Sequence, residues 1–120
     1  MPSKHDSRDC LADIVFNAER VAGYVVGMNQ STFARNGMFR DAAERCVERI
    51  CEVVFRLGSD AERLMPGQPW GDIRGMGNWL RHAYDRITLE TIWLTIERVP
   101  ALALAARRAL ATLEPDDGPA

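Results

Sequence analysis

What most constrains this chain is its punctuation. Glycine and proline, 9 and 6 in 120 residues, gather at a few places and leave long stretches between them. In those stretches apolar residues recur at three- and four-residue steps, the spacing of an amphipathic helix. No segment alternates with the period of two that a half-buried strand requires. The chain is therefore expected to be all-α, an antiparallel bundle of four to five helices.

The first periodic stretch runs from about Ser7 to Met28, with Leu11, Ile14, Val15, Ala18, Val21, Ala22, Val25 and Met28 on its apolar side. Asn29, Gln30 and Ser31 read as a turn, and a short helical piece is expected around Thr32–Arg35. A second long helix is expected over Met38–Leu57, with Ala42, Ala43, Cys46, Val47, Ile50, Val53, Val54 and Leu57 inward. Its charged residues lie mostly on the other side, in rows of glutamate and arginine able to cross-pair. Gly58 permits a break, and Ser59 with Glu62 fits a capping box for a short helix over Asp60–Met65. Pro66, Gly67, Gln68 and Pro69 form the clearest loop. A third main helix is predicted from Trp70 or Gly71 to about Tyr84, and a last one from about Thr88, bearing Leu89, Ile92, Trp93, Ile96 and Val99. Proline lacks an amide donor and clashes with the preceding turn, so Pro100 should kink or break that helix. Ala101–Leu113 favours helix again. Glu114–Ala120 is expected to be a disordered tail.

A length of 120 residues suits one domain, read here as residues 1–120. A domain this small leaves much surface uncovered, so pairing with a second copy would add burial. Hydrophobic residues at 47% and charged residues at 27% are ordinary for a globular chain. The net charge of −2 excludes a bulk-basic nucleic-acid binder, so any RNA contact must come from a local patch. The three cysteines, Cys10, Cys46 and Cys51, are odd in number and sit among apolar residues. They read as buried free thiols in a reducing cytoplasm, and Cys46 and Cys51 lack the spacing of a zinc pair. The polar N-terminus lacks the apolar core of a secretory signal. No apolar run is long enough for a membrane span. No cofactor or metal is expected.

The segment that carries chemistry is Asp72–Asp85, DIRGMGNWLRHAYD. At the helical spacing of about 100° per residue, Ile73, Met76, Leu80 and Ala83 mark one side, and Arg74, Asn78, Arg81, His82 and Asp85 share an arc of about 100° on another. Tyr84 falls on the boundary. The arc has two readings. It can be an ordinary solvated face. It can also be a site in which His82 transfers a proton near neutral pH while an arginine holds a phosphate and stabilises its developing charge. Those are the two requirements for cutting RNA without a metal, where the ribose 2′-hydroxyl attacks the adjacent phosphorus. Gly71, Gly75 and Gly77 each disfavour a helix interior by roughly 1 kcal/mol relative to alanine, which suggests close approach of another backbone or a later helix start.

The run GNWLRHAYD resembles the signature of the HepT toxins, in which an arginine, four intervening residues, a histidine, any residue and a tyrosine follow in order. The loop PGQPWGDIRGM before it, the segments AAERCVERICEVVFRL and ITLETIWLTIERVPAL resemble the family's flanking parts, so the resemblance spans about Ser7–Leu113. It implies a HEPN fold, a homodimer, and an RNA-cleaving cleft where two signature helices meet. It implies a partner too, a nucleotidyltransferase antitoxin of the minimal (MNT) type that transfers AMP from ATP to the signature tyrosine. On this resemblance His82 takes the place of the catalytic histidine, Asn78 that of the polar residue after the arginine, and Tyr84 that of the AMP acceptor. AMP on Tyr84 would exclude RNA phosphate by bulk and by repulsion.

The sequence departs from that signature at one position: Gly77 stands where the arginine belongs. Arg81 and Arg74 share the arc with His82, and either is expected to supply the guanidinium instead. Two functions follow. One is a toxin with metal-independent endoribonuclease activity, silenced by AMP on Tyr84. The other is a catalytically degenerate HEPN module that binds a nucleotidyltransferase or RNA without cleavage. Trp70, Trp79 and Trp93 are candidates either for an interface, where large aromatics are enriched, or for simple core packing.

Overall fold

The computed structural model describes residues 4–82 and 89–113, with side chains over 6–78 and 89–113. Within these bounds every element is a helix: α1 Lys4–Tyr24, α2 Gln30–Ala34, α3 Gly37–Leu57, α4 Asp60–Leu64, α5 Trp70–His82 and α6 Leu89–Thr112. Four are long and two are single short turns, so the expected bundle of four to five gains one small member. The expected tail after Leu113 lies outside the described residues.

α1 runs antiparallel to both α3 and α6. Arg56 near the end of α3 reaches Asp13 midway along α1 at 3.7 Å, while Phe39 at the other end of α3 meets Tyr24 at the end of α1, ring centres 6.4 Å apart. On α6, Arg107 pairs with Glu19 at 3.1 Å, and Arg8 donates to the Leu113 carbonyl at 2.8 Å. The core lies where α1, α3 and α6 converge. Leu11, Ile14 and Val21 meet Val47, Ile50, Val54 and Leu57 there, with Ile92, Ile96, Val99 and Ala106 completing it. Burying each aliphatic side chain contributes roughly 1.5–3 kcal/mol, which makes this seam the main source of stability.

α1 stops at Tyr24, short of Met28. Periodicity misjudged the end because Val25 and Met28 still pack on the core after the helix has stopped. Gly27 takes a φ of 73°, the left-handed conformation glycine adopts without penalty. Asn29 then caps α2. Its side chain accepts from the Thr32 amide at 2.9 Å and its amide donates to Thr32 Oγ1 at 2.9 Å, a reciprocal box that turns an apparent loop residue into a helix start.

The capping box expected at Ser59 does not form; Ser59 makes no side-chain cap bond. Ser59 itself has helical dihedrals, so its hydroxyl is not presented to the α4 amides. Asp60 is buried instead, and its Oδ1 accepts from Arg63 Nε at 3.2 Å and Nη2 at 3.1 Å. Pro100 does not break α6, which continues on both sides of it. Its cost of about 3 kcal/mol is offset because Ile96 and Val99 before it, and Leu102, Ala103 and Ala106 after it, are all buried on one face. Two of the three tryptophans belong to packing within the chain. Trp93 meets the fully buried Phe33 at a tilt of 47°, ring centres 5.2 Å apart, and Trp70 donates from Nε1 to the Met65 carbonyl at 3.0 Å. The Trp79 side chain lies outside the described residues.

Candidate active site on the signature helix

α5 begins where the Pro66–Pro69 loop ends. Pro69 supplies the carbonyl that the Ile73 amide reaches at 3.0 Å, so the proline starts the helix without a wasted donor. The helix is then fixed to both neighbours. Arg74 Nη2 donates to the Gly58 carbonyl at 2.7 Å and pairs with Glu62 of α4. The Arg74 guanidinium also lies 5.8 Å from the Trp70 ring centre. On the other flank Asp72 pairs with Arg98 of α6 at 3.4 Å.

The face of α5 that carries Ile73 and Gly77 lies on α3. Gly77 is buried, and a β-carbon there would stand 3.4 Å from Cys51 Cβ and 3.7 Å from its Sγ. The glycine therefore marks a close helix approach, one of the two explanations its composition offered. Beside it a cleft of about 270 Å³ opens between α3 and α5, lined by Cys51, Val54, Phe55, Ile73, Arg74, Gly77 and Asn78. A long side chain at position 77 would run into this cleft. Cys51 at its floor is pushed up to about 12, first by burial and then by Glu48 and Glu52. The thiol is thus protonated at neutral pH and serves as an apolar wall, with no nucleophilic role. All three cysteines are buried and free.

Of the residues singled out from the sequence, Asn78 is exposed, at the rim of this cleft. His82, the last described residue of α5, lies one turn further on, so the two share a helix face. The side chains of His82 and Arg81, and all of Tyr84, lie outside the described residues. Arg74 lies two turns before His82, and its guanidinium is held by Gly58, Glu62 and Trp70 toward the α4 end. Phe55 was absent from the sequence-based list. The signal was there: at helical spacing it falls outside the apolar arc of α3, an aromatic where a charged residue would be routine.

A profile of the ribonuclease HepT-like family matches residues 15–109. "Putative RNase MJ1380" of Methanocaldococcus jannaschii is 31% identical over 101 residues, covering 83% of this chain and 93% of that protein. "Putative RNase MJ0125" of the same organism is 26% identical over 112 residues, covering 92% and 97%. "Probable ribonuclease HepT" of Thermococcus cleftensis is 28% identical over 100 residues, covering 82% and 91%. No solved structure matches. The chain belongs to the ribonuclease HepT-like family.

Proposed function

We propose that this chain is a HepT-type toxin, a single-domain endoribonuclease that works without a metal ion. The observation that carries the reading is the register of α5, where exposed Asn78 at a cleft rim stands one turn before His82 within a family-matched helix. The names of the relatives support the activity. His82 takes the proton from a ribose 2′-hydroxyl, whose oxygen attacks the adjacent phosphorus. The bond to the 5′-oxygen breaks, and that oxygen is protonated as it leaves. A 2′,3′-cyclic phosphate and a 5′-hydroxyl result. In a homodimer the second His82 supplies the leaving-group proton. Arg81 supplies the cation that stabilises the phosphorane. It is preferred to Arg74 because the Arg74 guanidinium already has a carbonyl and a carboxylate.

Control is proposed to come from a nucleotidyltransferase antitoxin. The Tyr84 hydroxyl attacks the α-phosphorus of ATP, pyrophosphate leaves, and AMP stays on the tyrosine. The added phosphodiester would repel RNA phosphate from His82. The setting is proposed to be cytoplasmic, and among the described residues no helix is long and apolar enough to cross a membrane.

Gly77 favours a second reading, a degenerate module that binds the antitoxin or RNA without cutting. The two are separated by expressing the parent and His82→Ala without a partner and assaying growth and RNA cleavage in EDTA. Arrest and cleavage by the parent alone establish the nuclease. Equal inertness of the two chains favours the binding module.

A further inference from the structure

We propose that the cleft between α3 and α5 seats one nucleobase, so that Phe55, Gly77 and Asn78 form a base-recognition site beside the catalytic turn. This rests on the ribonuclease reading and adds a specificity site to it. Four observations lead there.

The first is size. The cleft holds about 270 Å³, just below the roughly 300–1,000 Å³ of sites for drug-sized ligands and suited to one planar ring system. The second is its wall. Val54, Ile73 and the neutral Cys51 thiol make an uncharged floor, and the Phe55 ring stands 63% exposed at the lip. An exposed aromatic beside an apolar slot is the arrangement on which bases stack.

The third is its polar side, which carries Asn78 and Arg74, the latter already held by the Gly58 carbonyl and Glu62. Asn78 lines the same space and its side chain has no hydrogen-bond partner among the described residues. An amide carries two donors and an acceptor, enough to read a base edge. The fourth is position. Asn78 precedes His82 by one turn on the same helix, so a nucleotide whose base occupies the cleft has its sugar and phosphate near the turn that bears His82. The space exists because position 77 is glycine; any longer side chain would start 3.4 Å from Cys51 and extend into it. The substitution that removes the signature arginine thus creates a cavity next to the place where RNA is cut.

The base could come from the RNA substrate or from the adenine of AMP attached to Tyr84. Both present the same chemistry to the cleft.

The test uses the full chain and two variants, Phe55→Ala and Phe55→Trp. Each is titrated with AMP, GMP, CMP and UMP while the Asn78 side-chain amide signals are followed by NMR. Each is also assayed on RNA oligonucleotides that differ in one base at the cut. Because Phe55 is exposed, both variants should keep the parent's thermal midpoint. The expected result is saturable binding of at least one monophosphate, weakened roughly tenfold in Phe55→Ala and recovered in Phe55→Trp. Altered base preference at the cut assigns the site to RNA. Selectivity for AMP with unaltered RNA preference assigns it to the adenylyl group. Binding that shows this Phe55 dependence in a chain that cuts no RNA upholds the cleft and removes the nuclease. Cleavage with neither Phe55-dependent binding nor Phe55-dependent preference removes the cleft and leaves the nuclease standing.

Discussion

Gly77 of α5 lies against Cys51 of α3, at a separation where a β-carbon would stand 3.4 Å from Cys51 Cβ. This one contact sets how closely the signature helix approaches the core helix. It also explains why the family's arginine position opens onto a cleft here.

A methyl group fits that contact, and a longer side chain would extend from it into the cleft. Gly77→Ala is therefore expected to keep the fold. The gain in helix propensity, about 1 kcal/mol, should outweigh a tight contact with Cys51, and the thermal midpoint should rise by a few degrees. Calorimetry checks this; a fall of the midpoint would mean that α3 and α5 are closer than the contact allows. Gly77→Arg has a different purpose. If Arg81 carries the cation, Arg81→Ala should lower the cleavage rate by roughly 100-fold, and adding Gly77→Arg should recover part of it.

Arg74 is expected to act on structure. Arg74→Ala removes a guanidinium from the Gly58 carbonyl and from Glu62. The carbonyl bond is part-buried and the ion pair is half-open to solvent, so a loss of about 1 kcal/mol is expected, mostly from the carbonyl. Denaturant unfolding measures it. Cleavage per folded molecule should stay within about twofold of the parent, whereas a fall near the roughly 100-fold given by losing a catalytic cation would return Arg74 to the site.

The thiols offer a test of packing. Cys10, Cys46 and Cys51 are buried, and Cys51 is pushed up to about 12. Iodoacetamide reacts with thiolates, so the native protein is expected to resist labelling at pH 8 while the denatured chain takes up label at all three. Mass spectrometry reads both states. Rapid native labelling at Cys51 would show that α5 lifts away from α3.

Glu44 governs a pH effect. Burial raises its carboxyl above the usual range, with Glu48 and Asp41 adding repulsion and Arg40 opposing. A carboxyl whose folded value is raised binds a proton more readily in the native state, so its contribution falls as pH rises through the window from the ordinary glutamate value to the raised one. Glu44→Gln is expected to stabilise the protein at pH 7 and to make no difference well below pH 4. Thermal midpoints across that range decide it, and a Gln variant that is less stable at neutral pH would reverse the sign argued here.

Much of this molecule was legible in the sequence because helix periodicity is a local property. Except for Cys51, the inward residues of α3 from Ala43 to Leu57 follow from three- and four-residue spacing alone. The Pro66–Pro69 loop and the start of α5 at Trp70 follow from turn chemistry. So does the family, since a signature and its flanks are read residue by residue.

What the sequence could not decide depends on partners distant along the chain. α1 ends at Tyr24 because Gly27 turns left-handed, although Val25 and Met28 still pack inward. α6 runs through Pro100 because buried side chains on both sides outweigh one proline. Arg74 and Arg81 were equivalent on a helical wheel; only packing gives Arg74 the Gly58 carbonyl at the end of α3 and Glu62 of α4. Gly77 read as a missing arginine and a hint of close packing until Cys51 and Phe55 gave the space beside it a floor and a rim. Spacing along one helix determines which residues share a face. Only the packing of a second helix against it determines what that face meets.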